Sequence, residues 1–583
     1  MLEISSRLNA LSLPATLPPE ILLEIFLIHA ARVQKERLDD IYSDCERAHR
    51  VPSYFKWIRV AHVCRYWREV ALSSSDFKAF CVYEAFATPD DHRGPFSLPS
   101  AFWDQFPHTV IVHQNMDYSC PRCVRDYVDT IAHEYVCEYS ESIKSLAIII
   151  ETDDFTSDLW DSMRHAAGDT VESLRIGLRG EAWTYHTSEV GSRLTIPDGL
   201  FGSCTPRLRS LTTSHVSFSF ANSLLCPSLR HLEITAHQGH RPPQDMQDLI
   251  FALDNLSFLE TLVVEGLPGI GEPFTGEAHL PRLDLLRISS RMEQAAFFLS
   301  RLRLPPTASL VIGLDGSTTS NAASPTSTPT SISVPALTEV LTKFLHVAPP
   351  RCMSWDIPPR SSLHSDGQSC LRVWAAAYPP VDDLWVSKPD VAPRLTITDK
   401  TYHATLAVLG ALELPSLTAL YVNGPMPSKE AWAGAFVGAP NISLLRVTGR
   451  VGFQLGSSLS LEIMDDTDDE GHSPKACALP HLQTIQFVDV PFPPHTKIDW
   501  HPFLLDDTGS DGVEFLDNRW GKRGIDVKDF VRGLRRRREL GADPLERIEF
   551  IDCRNMKMTH LRPLLREDVA VVFDGAPLEH SYQ

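Results

Sequence analysis

Cys120-Pro-Arg-Cys123, followed by His133 and Cys137, brings together three sulfurs and an imidazole, the donor set that tetrahedral zinc prefers. The spacing argues against a metal centre. Val124, Tyr127, Val128, Ile131, Tyr135 and Val136 recur at helical intervals through the same stretch. A continuous helix from Cys123 would carry His133 and Cys137 about 15 Å or more from the first pair. Neither a metal nor a cofactor is expected. The chain holds no Gly-x-x-x-x-Gly-Lys phosphate loop, Gly-x-Ser-x-Gly elbow, kinase signature or His-Glu-x-x-His, and Gly266, Gly269 and Gly271 lack dinucleotide spacing. These residues point to a non-catalytic binding protein.

Composition agrees with binding. A chain of 583 residues exceeds what one core organises, so at least two domains or a long array are expected. A formal net charge of -20 opposes non-specific attraction to nucleic acid or an anionic membrane, and neither is expected as a partner. The basic run Arg532 to Arg538 falls within Val527-x-x-Phe530-Val531-x-x-Leu534, which reads as the solvated face of a helix. No run of about 18 apolar residues and no signal-peptide layout appear, and the 12 cysteines are too dilute for a disulfide scaffold. A soluble chain with reduced thiols, cytoplasmic and/or nuclear, is the expectation.

Two helical patterns near the start must position any docking surface. In Leu17-Pro-Pro-Glu-Ile-Leu-Leu-Glu-Ile-Phe26, Leu17, Ile21 and Ile25 recur every four residues, with Leu22 and Phe26 in the adjoining row. Thr16 is placed to cap, Pro18 and Pro19 suit a first turn, and Glu20 complements its positive end. In Trp57-Ile-Arg-Val-Ala-His-Val-Cys-Arg-Tyr-Trp-Arg-Glu-Val-Ala71, Val60, Cys64, Trp67 and Ala71 form a second stripe beside Val63 and Val70, ended by Ser73, Ser74 and Ser75.

Together, Leu-Pro-Pro-Glu-Ile-Leu-x-x-Ile-Phe and Val-Cys-Arg-x-Trp-Arg-x-Val-Ala resemble the F-box, in the form seen in large fungal families. The resemblance covers about residues 12–80. It departs from the family in a charged insert at 32–56 and in Ser75-Asp76-Phe77, where the family ends Pro-x-Leu-Trp. It implies a helical module that binds the adaptor Skp1 and so joins a cullin-RING ubiquitin ligase. The docking face it implies is Leu17, Pro18, Ile21, Leu22, Ile25, Val63 and Trp67.

Residues 1–11 read as a leader, and 81–140, with Phe96, Phe102, Trp103 and Phe106 among prolines, as a packed junction. From 141 to 583 a phrase recurs, apolar-x-x-Leu-x-apolar, anchored at Ile143, Val171, Leu208, Leu229, Leu259, Leu283, Leu417, Ile442, Leu482 and Leu545. The first intervals are 28, 37, 21, 30 and 24 residues, mostly near leucine-rich-repeat length. Each phrase has the period of a short strand, and helical patterns such as Met246 to Leu253 lie between. A strand and helix cannot bury their apolar surface alone, so stacking is expected. The fold class is α/β: a small N-terminal helical F-box module, then an irregular leucine-rich-repeat-like solenoid.

Positions alternating with the inward leucines would form the contact face for an unknown protein substrate: His231, Glu233, Thr261, Glu265, Arg287, Tyr421, Asn423 and Arg446. Residues 316–334, rich in Ser, Thr and Pro, are expected to be a disordered loop in which Ser324 and Thr328 precede prolines; 462–472 is an acidic loop. The function implied is substrate recognition within a Skp1–cullin–F-box ligase. The alternative is a leucine-rich-repeat scaffold acting outside ubiquitination.

Overall fold

The computed structural model describes residues 17–43, 60, 63–78, 82–86, 108–113, 140–150, 156–178, 195–235, 245–272, 274–314, 330–357, 368–375, 393–399, 403–424, 436, 438–448, 455–459, 462–463, 476–477, 479–490, 527–553, 556, 561–573 and 576–577. Among them, no helix is long and apolar enough to cross a membrane. The chain divides into two compact units, Met1–Leu283 with Leu302–Leu304, and Asp284–Arg301 with Pro305–Gln583.

The first unit opens with three helices, α1 (Pro19–Ser43), α2 (Arg65–Ser73) and α3 (Ser75–Lys78). A parallel sheet follows: β1 (Val82–Phe86), β2 (His108–His113), β3 (Ile143–Ile150), β4 (Ser173–Leu178), β5 (Ser210–Ser214), β6 (His231–Thr235) and β7 (Thr261–Glu265), each paired with the next. Helix α4 (Thr156–His165) follows β3, and α5 (Met246–Asp254) precedes β7. The array therefore begins earlier than expected, inside the stretch read as a junction. Neither Val82-Tyr-Glu-Ala-Phe86 nor His108-Thr-Val-Ile-Val-His113 contains the leucine phrase.

In the second unit the strands are β8 (Leu285–Ser290), β9 (Ser309–Leu314), β10 (Cys352–Asp356), β11 (Ser369–Trp374), β12 (Leu395–Asp399), β13 (Ala419–Asn423), β14 (Leu444–Thr448), β15 (Thr484–Val488), β16 (Arg547–Ile551) and β17 (Ala570–Phe573). Stacking in chain order breaks here. Strand β9 pairs with β12, and β12, β11 and β10 run antiparallel in reverse order before β10 meets β13 and parallel pairing resumes. A simple repeat array has no such reversed triplet. Helices α6 (Met292–Ser300), α7 (Thr330–Val347), α8 (His403–Ala411), α9 (Leu455–Leu459) and α10 (Val527–Glu539) lie between strands. Helix α7 starts at Thr330, so the last residues of the expected disordered loop are helical; 315–329 lie outside the described residues.

All ten phrases are strands, and all but the first start two residues past the anchor. The anchor closes a tight turn. Its N–H donates to the carbonyl three residues back at Val171, Leu208, Leu229, Leu259, Leu283, Leu417 and Leu482. The carbonyl one residue past one anchor then accepts two N–H groups from the next phrase: Glu172 O from Arg209 and Ser210, Arg209 O from Arg230 and His231, Arg230 O from Glu260 and Thr261. Side chains alternate across a strand, so in-register pairing lines leucines into rows. Leu146, Leu174, Leu211, Leu232 and Leu262 form one in the first unit; Leu420, Leu445, Ile485 and Ile548 form one in the second, all buried. Each such side chain contributes about 1.5–3 kcal/mol by leaving water.

Two glycines let α9 and α10 touch backbone to backbone. A Cβ on Gly533 would fall on the Gly456 carbonyl, and one on Gly456 would fall on the Asp529–Phe530 peptide. Gly533→Ala should therefore lower stability by about 1–3 kcal/mol in denaturant unfolding. Gly269→Ala, with open space around its Cβ, should stay within about 0.5 kcal/mol; equal midpoints for the two variants would refute the close approach.

Candidate functional site

Helix α1 carries two apolar stripes that its own domain treats differently. Leu22, Phe26 and Ala30 are buried, and Val33 packs against them. One position over, Ile21 is 47% exposed, Ile25 46% and Ile28 64%, with Pro18 exposed at the same end. The helix starts where its prolines suggest: Leu22 N–H donates to Pro18 O at 3.0 Å.

The buried stripe is closed by two aromatic rings from later in the chain. Phe26 lies 5.1 Å from Trp67 and 5.8 Å from Phe77, ring centre to ring centre. Cys64 caps α2, its Sγ accepting the Trp67 N–H at 3.4 Å, and Val70 and Ala71 turn into the core. Tyr66 donates its hydroxyl to Leu17 O at 2.8 Å, tying α2 to the start of α1. Ser74 Oγ accepts the Phe77 N–H at 3.1 Å and so starts α3.

Of the residues expected on the docking face, Pro18, Ile21, Ile25 and Val63 are exposed, Leu17 and Trp67 are half-buried, and Leu22 is fully buried. Leu22 thus belongs to the domain's own core. Ile28, exposed by 64%, continues the bare row of α1, and Leu72 on α2 is exposed by 42%; neither is among the residues expected on the docking face. Ile28 lies three residues beyond Ile25, a spacing that could have nominated it. Helix α2 begins at Arg65, later than its apolar pattern, and α1 runs on to Ser43 into the charged insert.

Residues 14–81 match the family model for F-box-like domains. The helical module is F-box-like. That match supports an F-box protein, a class that typically binds Skp1 and is non-catalytic. A search of curated proteins finds no match to the chain. In this F-box-like module Phe77 occupies the altered ending, and its burial gives Ser75-Asp76-Phe77 a packing role.

The strand residues expected to contact a substrate fall into two groups. His231, Glu233, Thr261 and Glu265 are half-buried and Arg287 is exposed. His231 Nε2 lies 3.5 Å from Glu233 Oε2, which also accepts from Thr212 Oγ1 at 3.5 Å. Tyr421 and Arg446 are buried, so neither presents an open face. Asn423 is half-buried and donates to Asp356 Oδ1 at 3.2 Å; Arg372 pairs with the other oxygen. Burial raises the Asp356 carboxyl above its usual range, opposed by Arg372 and Asn423, and pushes the Cys370 thiol up to about 11. Asp356 and Arg372 lie on strands without the leucine phrase, which hid them. Gln486 and Glu549 share the alternation of Arg446 and were open to the same counting.

On α10, Arg532, Arg535 and Arg538 lie on the solvated face and form ion pairs there, Arg536 is half-buried, and Arg537 turns inward. Arg535 pairs with Glu567 at 2.8 Å, Arg538 with Glu567 at 3.8 Å, Arg536 with Glu539 at 2.8 Å and Arg532 with Asp529 at 3.7 Å. Arg537 is buried and donates to the carbonyls of Leu479, Pro480, Leu482 and Asp543. Cys120, Cys123, His133, Cys137 and the leader lie outside the described residues; among those described, no His, Cys, Asp and Glu group could hold a metal. Of the acidic loop, Glu462 and Ile463 pair with Cys477 and Ala476, and 464–472 lie outside the described residues.

Core and ridge should respond oppositely to substitution. Leu22→Ala or Phe77→Ala should cost about 2–5 kcal/mol and speed amide exchange at Val70 and Ala71 in the full chain. Ile25→Ser should leave exchange there unchanged, with stability within about 0.5 kcal/mol; faster exchange in that variant would place Ile25 in the core.

Proposed function

We propose that this protein is a substrate-recognition subunit of a Skp1–cullin–F-box ubiquitin ligase. The observation that carries the reading is the bare row Pro18, Ile21, Ile25 and Ile28, with Val63 and Leu72 also exposed, in a module whose other apolar stripe is sealed. Scattered apolar residues are ordinary on a surface, but a row at one helical spacing fits a helix-sized partner. Each of these side chains moved into a dry interface would contribute about 1.5–3 kcal/mol, so three give useful affinity even after the cost of association.

In this role the chain forms and breaks no bonds. It holds a protein substrate on its leucine-rich-repeat-like region, through His231, Glu233, Thr261, Glu265, Arg287 and Asn423, and raises that substrate's effective concentration beside a ubiquitin-charged enzyme. Tyr421 and Arg446 support that face from within. The working compartment is cytoplasmic and/or nuclear.

Calorimetry with a purified Skp1-like adaptor tests the reading. The intact chain should bind, Ile25→Asp should weaken binding tenfold or more, and Glu24→Gln, beside the row, should not. An intact, folded chain that forms no complex would sink the proposal.

A further inference from the structure

In the second unit a polar row crosses six strands on the face opposite the leucines: Arg372, Ser354, Tyr421, Arg446, Gln486 and Glu549 stand in register. The cations near its two ends are balanced. Arg372 pairs with Asp356, and Arg547 pairs with Glu549. The central cation is not. Arg446 is 2% exposed, its Nε–H has no acceptor, and no carboxylate of the described residues forms an ion pair with it. A buried cation without a counter-charge is strongly unfavourable, so this position calls for an anion.

The neighbours define which anion. Gln486 Nε2 donates to Glu549 Oε2 at 2.7 Å, and a carboxylate can only accept, so the amide's orientation is fixed with Oε1 free to accept. That oxygen is buried without a partner, as is Thr448 Oγ1, two residues along from Arg446. In-register residues of neighbouring strands are about 4.8 Å apart, and residues two along a strand about 6.6 Å. An oxyanion that accepts from Arg446 and Thr448 while donating one O–H to Gln486 satisfies all three. Hydrogen phosphate does this; an ionised carboxylate has no O–H to give. The enclosure of Arg446 favours a small free ion over a side chain on a peptide.

We propose that Arg446, Thr448 and Gln486 bind hydrogen phosphate as a structural ion of the second unit. This inference is independent of Skp1 binding. Its test is thermal unfolding of the full-length protein with inorganic phosphate, acetate or a phosphoserine peptide at constant ionic strength, with phosphorus NMR for stoichiometry. Phosphate should bind at one equivalent and raise Tm by about 2 °C or more, with acetate and the peptide at least tenfold weaker. Arg446→Met should lose the response and, without phosphate, be at least as stable as the parent. Should that variant not fold, Thr448→Val should bind phosphate about tenfold more weakly. No response in the parent, an equal response in Arg446→Met, or stabilisation by the phosphopeptide alone would overturn the assignment.

Discussion

Helix α1 presents more apolar surface than the described elements that follow it cover, and the F-box-like module takes its character from that mismatch. Its lining closes around Phe26, held between Trp67 and Phe77. Among the described residues, two helices of nine and four residues and Val60 close one stripe of a helix of 25 residues, and Ile21, Ile25 and Ile28 of the adjoining stripe are exposed. A hydroxyl-to-carbonyl bond from Tyr66 to Leu17 and the caps at Cys64 and Ser74 fix the angle at which this happens. The bare row is therefore set by how the core closes, and a surface already formed lowers the ordering cost of any association.

The strand region follows a different constraint, that successive side chains of a strand point to opposite faces. In-register stacking then makes whole rows alike. Leucines line one face, and what remains, polar and aromatic, lines the other. In the second unit the reversed triplet β12, β11, β10 brings Trp374 beside Cys352 and Tyr421 as a buried cluster on that other face. Polar groups enclosed there must find partners among themselves, as Arg372, Asp356 and Asn423 do. At Arg446, Thr448 and Gln486 such pairing is incomplete.

Much of this was legible in the residues. The repeated phrase located ten strands because it encodes two things at once, a buried anchor closing a turn and an alternating strand after it. Strands without that anchor were missed, β1, β2 and the reversed triplet among them, since alternation alone over five residues is a weak signal. In the helical module the apolar periodicity of α1 was plain, yet it could not say which stripe the chain would cover. That choice depends on Trp67 and Phe77, at least 41 residues away from Phe26 in the sequence. For that reason Leu22, expected on the docking face, lies in the core instead. Likewise, alternation sets Tyr421 and Arg446 on the face opposite the leucines without revealing that the face is enclosed there.

Adaptor binding requires the outer stripe of α1 to be bare and accessible in the free chain. Thiol labelling of an Ile25→Cys variant of the full-length protein measures this directly, with labelling located by mass spectrometry. The stripe's exposure predicts rapid modification at position 25 in the free protein and protection once a Skp1-like adaptor is added. Slow modification in the free, folded protein would contradict it, because the chain would then be covering that stripe itself.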